Sequence, residues 1–393
     1  MGPLAERKQR CLSELERLAP EACAWSDAIH ARPELGNAEH FASELLTTRL
    51  KAAGFAVEKG VAGLVTAFRA AYYGSGEGPI VGLFAEYDAL PELGHACGHN
   101  VIGAAATLAG IAVSRCLDGM QGGVMVLGCP AEETMGGKVT MLERGAFKEL
   151  SVALLAHPAG VHMLGHSSLA MDALEFSFRG RAAHASAAPH EGVNALEAVI
   201  NLFVLVNSLR QHLPQSFRVH GIITEGGVAA NVVPERAVAR FYVRAPFRRE
   251  LNRVAEQVRN CAKAAALASG TELTIQAFEP PNDNMNTNHT LAEAMRKNLN
   301  ALGVWDITPP GQASGSSDFG NVSHVVPALP CFIAISQSVL THTPAFAAAA
   351  GGPGGHAGLV LAAKALALTA LDVIGDRDLL ERVREEFSLS QEE

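Results

Sequence analysis

The chain has 393 residues, 48% of them hydrophobic and 18% charged, with a formal net charge of -9. That length predicts two domains with ample core, and so apolar a chain excludes disorder because burial offsets its ordering entropy. The acidic balance argues against nucleic-acid binding, which needs clustered Lys and Arg, and no apolar run of about 18 residues suggests a membrane span. The N-terminal stretch mixes charges of both signs and reads as an amphipathic helix, not a signal peptide. Seven cysteines without a secretory signal point to reduced thiols and a cytoplasmic location.

In chain order, residues 39–53 read as a helix ending at Gly54, followed by strands at 55–59, 64–72 and 80–85. Residues 101–116 form an Ala-rich helix, 123–129 a strand, 138–144 a helix and 152–157 a strand. This alternation predicts an α/β domain with a mostly parallel sheet, in which functional groups gather at the carboxyl ends of strands. The rhythm then changes to strand 174–180, helix 193–213, strands 218–224 and 237–244, helix 250–268 and strand 272–278. The order βαββαβ is that of a ferredoxin-like module. After Pro280-Pro281 the α/β pattern resumes, with a strand at 330–335 and a terminal helix at 359–374. The expected organisation is a catalytic domain in two parts, 1–173 and 280–393, with 174–279 inserted between them.

Four patches come directly after predicted strands. They are Glu86-Tyr87-Asp88 with His95-Ala96-Cys97-Gly98-His99-Asn100, then Pro130-Ala131-Glu132-Glu133, then Ala156-His157-Pro158, and finally Thr341-His342-Thr343. Thiolate, imidazole and carboxylate are the donor types of a zinc-like site. Taken singly, Cys97 reads as a small core residue, His157 as strand punctuation and Glu132-Glu133 as a solvated face. Four such clusters at successive strand ends favour convergence on a metal. Of two adjacent acids, one can bind the metal while its neighbour takes a proton from an activated water, which suits amide hydrolysis. Gly74-Ser75-Gly76 precedes a strand and is no dinucleotide fingerprint, and Gly136-Gly137-Lys138 is not a phosphate-binding loop. No G-x-S-x-G or H-E-x-x-H occurs.

These motifs resemble the dinuclear metallopeptidase family of aminoacylases and carboxypeptidase G. Within it they are most similar to the branch of auxin-conjugate amidohydrolases, aminobenzoyl-glutamate hydrolase and the β-alanyl-lysine dipeptidase. The resemblance runs over nearly the whole chain, from HARPELG at 30–36 and AEYDALPELGHACGHN at 85–100 to PAEE at 130–133 and AHP at 156–158. It continues through GRAAHAS at 180–186, GGVAANVVPERA at 226–237, SSDFGNVSHVVP at 316–327 and THT at 341–343.

The resemblance implies two divalent metal ions per subunit, zinc or manganese, with cobalt or nickel also accepted. Cys97 would bridge them, His99 and His157 would bind one, and Glu133 and His342 the other. Glu132 would be the general base and acid, and Asp88 would orient a ligand. The inserted module would be a dimerisation lid, making the protein a homodimer. His184 would stabilise the oxyanion in the partner's site. Asn231 and Arg244 would hold the substrate carboxylate, a structural ion pair being the plainer reading of Arg244. Asn100 stands where many relatives carry Asp, and Glu86 stands where more distant members place a metal-binding His; the branch pattern implies that Glu86 is not a ligand. His356 rivals His342 for the last ligand, and the THT match favours His342. The implied activity is hydrolysis of an N-acyl amino acid, a dipeptide or an aminobenzoyl-glutamate-like amide. The alternatives are a deaminase or carbamoyl hydrolase using the same site, or a non-catalytic binding protein on the same fold.

Overall fold

The computed structural model describes residues 2–311, 315–337 and 339–391. The chain divides into two compact units. The first opens with α1 (Pro3–His30), α2 (His40–Ala52), β1 (Ala56–Lys59), β2 (Phe68–Tyr73) and β3 (Ile80–Ala85). It continues with α3 (His99–Ser114), β4 (Gly123–Gly128), α4 (Gly137–Glu143), β5 (Val152–Ala159) and β6 (His162–Leu164). The second unit holds β7 (Ala170–Arg179), α5 (Ala195–Arg210), β8 (Arg218–Glu225), β9 (Arg236–Ala245), α6 (Arg248–Ser269) and β10 (Glu272–Ala277). The chain then returns to the first unit with α7 (His289–Ala301), β11 (Ile307–Thr308), α8 (Phe319–Ser323), β12 (Ala328–Ala334), α9 (Pro344–Ala350), α10 (Pro353–Gly375) and α11 (Arg377–Ser390).

Among the described residues, eight strands of the first unit form one sheet in the order β1-β2-β4-β3-β5-β12-β6-β11. Its centre, β4-β3-β5-β12, is parallel throughout. Alternation explains why both faces are covered. Val81, Leu83, Val124, Val126, Val152 and Leu154 enter one core, while Phe84, Met125, Leu127, Ala153 and Leu155 enter another with Phe147 and Phe319. Every residue of α3 is buried. Helix α10 is long and apolar enough to cross a membrane, yet two thirds of its most apolar window is buried in this unit, with Leu359, Ala363, Leu366 and Ala370 in the core. The fold is thus α/β with a large, mostly parallel sheet.

The second unit is an antiparallel sheet of order β10-β7-β9-β8 with α5 and α6 sharing its core. Leu174, Phe176, Phe178, Ala239, Phe241 and Val243 meet Ala198, Leu202, Leu251, Val254 and Val258 there. Its element order is βαββαβ. The unit runs from Ser168 to Asn284 and takes in 315–317, so it is wider than 174–279. The cause is pairing at the strand's start: the N–H groups of Met171 and Asn282 donate to each other's carbonyls at 2.8 and 3.0 Å.

Three local expectations change. The strand expected from 64 begins only at Phe68, because Val61–Gly63 is a tight 3-10 turn and the Ala67 N–H closes a further turn on the Leu64 carbonyl at 3.0 Å. The terminal helix expected from 359 begins earlier, at Pro353 in its first turn, and so takes in Gly354, Gly355 and Gly358. Helix α11, amphipathic and capped by the Asp376 carboxylate on the Leu379 N–H, extends beyond the expected last helix.

Candidate metal centre

The parallel centre of the sheet delivers its loops to one edge. After β3 come Glu86 and Asp88, after β4 Glu132 and Glu133, and within the end of β5 His157. Cys97 lies two residues before His99, which opens α3. Gly98 between them has φ +78°, and a Cβ there would lie 2.5 Å from Pro158 Cγ. A glycine is therefore required for the start of α3 to meet the end of β5. His342 has φ +62°, and its N–H donates to the Ala96 carbonyl at 2.8 Å, which brings the fourth segment to the same place.

The donor atoms form triads. Those of Cys97, His99 and His157 all lie within 4.8 Å of one another, as do those of Cys97, Glu133 and His342, and of His99, Glu132 and Glu133. Cys97 is common to the first two. Cys97 Sγ lies 3.5 Å from His157 Nε2, and His342 Nε2 lies 3.4 Å from Glu133 Oε1. Such separations are those between neighbouring ligands of one cation with bonds of about 2.0–2.3 Å.

Hydrogen bonds orient the donors. His99 Nδ1 donates to Asp88 Oδ1 at 2.8 Å, and His157 Nδ1 donates to the Pro158 carbonyl at 2.7 Å. In the neutral form each ring then has its lone pair on Nε2, the nitrogen that faces the cluster. His99 Nε2 is buried without a hydrogen-bond partner among the described residues. A buried orphan of this kind costs free energy unless something binds it, so the donor set fits a divalent cation. The second oxygen of Asp88 accepts the Glu133 N–H at 3.0 Å, so one buried carboxylate fixes both a ring and the acidic loop.

Electrostatics follow from burial and crowding. Burial pushes His157 down to about 4 and pushes the Cys97 thiol up. Burial opposes charge on Glu133, but the His342 and His99 imidazoles outweigh it and hold the carboxyl at about 2. Burial, then the Glu86 and Asp318 carboxylates, raise Glu132 well above the usual carboxylate range. The acidic loop thus carries its two carboxyls in opposite environments, Glu133 held low and Glu132 pushed up.

Residues expected in the inserted module lie in the second unit. His184 is exposed, and its Nδ1 accepts the N–H groups of Ser186 at 3.3 Å and Ala187 at 3.2 Å. The ring proton therefore sits on Nε2. Asn231 lies nearby, its carbonyl accepting the Ala185 N–H at 3.0 Å. Arg244 donates to Ser316 Oγ at 3.1 Å and lies over the Tyr242 ring at 5.4 Å, with no ion pair among the described residues. His356, the rival to His342, lies on the first turn of α10 with Nε2 2.7 Å from Asp27 Oδ1. Asn100 is buried and donates to Ser26 Oγ and the Ala350 carbonyl, tying α3 to α1 and α9.

Sequence reading missed Lys138, Asp318 and Glu39 as supporting groups. Lys138 is fully buried, 2.5 Å from Asp318 Oδ1 and 2.7 Å from Glu86 Oε1. Glu86 Oε2 in turn lies 3.5 Å from His99 Nε2. Glu39, also buried, accepts the Ala131 N–H at 2.8 Å. The one signal was the charge of Lys138 between glycines and a valine.

Known proteins resemble this chain along most of its length. Residues 164–269 match the model of the peptidase dimerisation domain of the M20 peptidases. The chain is 38% identical to the Xaa-Arg dipeptidase of Mus musculus, covering 100% of this chain and 98% of the relative. It is 30% identical to one of the subunits of the p-aminobenzoyl-glutamate hydrolase of Escherichia coli, over 92% of this chain and 90% of that protein. Among solved structures, a dinuclear metal binding peptidase of the M20 family from Bacillus subtilis superposes with a TM-score of 0.72 at 20% identity, covering 91% of this chain and 99% of the other. With relatives of this identity matched along nearly their whole length, the chain belongs to the M20 family of metal-dependent peptidases and amidohydrolases, which hydrolyse amide bonds.

Proposed function

We propose that the protein is a cytoplasmic, homodimeric dipeptidase with two divalent cations, zinc or manganese, per subunit. The observation that carries the reading is the pair of donor triads sharing Cys97. Cys97, His99 and His157 would hold one cation, and Cys97, Glu133 and His342 the other. When bound, the cations supply Lewis acidity, polarising the scissile carbonyl and acidifying the attacking water. Glu132 takes the proton of that water and passes it to the leaving amine nitrogen. Asp88 keeps the His99 ring in register through Nδ1. The Nε2–H of His184 serves the partner subunit's site as a donor to the developing oxyanion, and Asn231 and Arg244 receive the substrate's terminal carboxylate. The seven cysteines are unpaired, which suits a reducing compartment and keeps Cys97 available as a ligand.

Dimerisation is supported by apolar surface on the second unit. Strand β8 ends the sheet, with Ile222 and Ile223 64% and 44% exposed. Helix α5 exposes Ile200, Val204 and Leu205 on one side. An unpaired edge beside an apolar helix stripe is a self-association surface. For the substrate, the relative named an Xaa-Arg dipeptidase favours dipeptides over N-acyl amino acids or aminobenzoyl-glutamate. The test is a panel of those three amide classes with the metal-loaded enzyme, following amino-acid release and ammonia separately. Chelator-sensitive release of the C-terminal amino acid from dipeptides is expected; ammonia as the product would make the enzyme a deaminase or carbamoyl hydrolase.

A further inference from the structure

The acidic loop after β4 has a backbone irregularity that the chemistry above does not use. Ala131, directly before Glu132, has φ +59°, a left-handed conformation that L residues with a Cβ disfavour. A neighbouring segment, between α1 and α2, holds it there. Glu39 Oε1 accepts the Ala131 N–H at 2.8 Å, and its other oxygen accepts the Thr66 hydroxyl at 2.8 Å, with no part of Glu39 exposed. Gly36 presses on the same loop, since a Cβ there would lie 2.9 Å from Ala131 Cα and 2.4 Å from Thr134 Oγ1. Beyond Glu132, the Glu133 N–H is held separately by Asp88 at 3.0 Å. Two buried carboxylates therefore grip the amides on either side of Glu132, one belonging to the ligand-orienting Asp88 and one to Glu39.

We infer that Glu39 is a positioning residue for Glu132: by taking the Ala131 amide it holds that residue left-handed and so aims the Glu132 carboxylate. Because Glu133 is anchored through Asp88, loss of Glu39 misplaces the base while the two triads that share Cys97 remain. The consequence is selective. Turnover falls, whereas cation binding and substrate affinity do not. Glycine at 131 adopts the left-handed conformation without the steric cost of a Cβ, so it relieves the need for the Glu39 clamp.

The inference rests on Glu132 being the base, and E132Q alone tests that reading. Glu39 is tested by three variants of the full chain loaded with Zn²⁺, measured for kcat, KM and bound zinc. E39A is expected to lower kcat ten- to a hundredfold, with KM within twofold and zinc content unchanged. E39Q, whose amide oxygen still accepts the Ala131 N–H, should recover most of the loss. E39A/A131G should exceed E39A in kcat at least fivefold, an outcome that general loss of packing would not produce. Unchanged kcat in E39A, zinc loss parallel to the kcat loss, or no gain in the double variant would each overturn the inference. If E39A does not fold, G36A decides: a kcat-only loss supports the same clamp, and wild-type kcat overturns it.

Discussion

The two units hold their functional candidates in opposite ways. In the larger unit Asp88, Cys97 and His99 are buried, and hydrogen bonds fix Asp88, His99, His157 and the Glu133 amide before any ligand arrives. In the smaller unit His184 and Asn231 stand exposed on loops, and Arg244 is held by one serine and one ring. A cation cluster needs preorganised donors, because each unpaired buried group is costly and tight geometry sets affinity. Under the proposed dimer, His184, Asn231 and Arg244 would gain their context only on assembly. The contrast would then separate residues that a single folded unit completes from those that association completes.

Experiments can break or sharpen this division. The largest effect is expected for E132Q, which should lower kcat by about 10³-fold, within the span typical of general acid–base groups, while zinc content stays near that of the parent. Retained turnover would remove Glu132 from the role of base. Next, K138M removes the lysine that touches both the buried Glu86 and Asp318 carboxylates. Breaking a buried pair from one side costs about 3–5 kcal/mol, which thermal melting should show as a large drop in Tm. A Tm unchanged within a degree or so would mean that the array is solvated in solution. D88N should weaken cation affinity about 10–100-fold, as loss of a partner that orients a metal ligand does, read by chelator competition. The smallest signal is complementation. Mixing E132Q with H184A under conditions of proven subunit exchange should restore activity to a fraction of wild type through hybrid dimers, and no recovery would confine His184 to its own subunit.

Much of the larger unit could be read from sequence, for a physical reason. A parallel strand buried on both faces is a short apolar run, and the loop that leaves it is forced to one edge, so PAEE, AHP and HACGH announced both their position and their donors. The ferredoxin-like order was legible from the βαββαβ succession of strand and helix patterns. The boundaries of that module were not, because the pairing of Met171 with Asn282 joins positions more than a hundred residues apart and leaves no local pattern. For the same reason Lys138 was invisible: its partners lie 52 residues before it and 180 after it, and a lysine between glycines and valine looks like an exposed helix start. Glu39 was hidden likewise, its contact being to a backbone amide that carries no residue identity. The start of the last expected helix misled in the opposite direction, since α10 begins at Pro353 and not at 359. Glycine discourages a helix, yet Pro353 at the first turn and the long apolar sequence behind it carry α10 through Gly354, Gly355 and Gly358.

The central claim is that Cys97 joins two donor triads into one two-cation centre. Zinc stoichiometry of the purified, Zn²⁺-reconstituted chain, measured for wild type and C97A side by side, tests it most directly. Two ions per chain in the wild type, with one or none retained tightly in C97A, is the predicted result. A wild type that holds no zinc, or a C97A variant that keeps both ions at wild-type affinity, would contradict it.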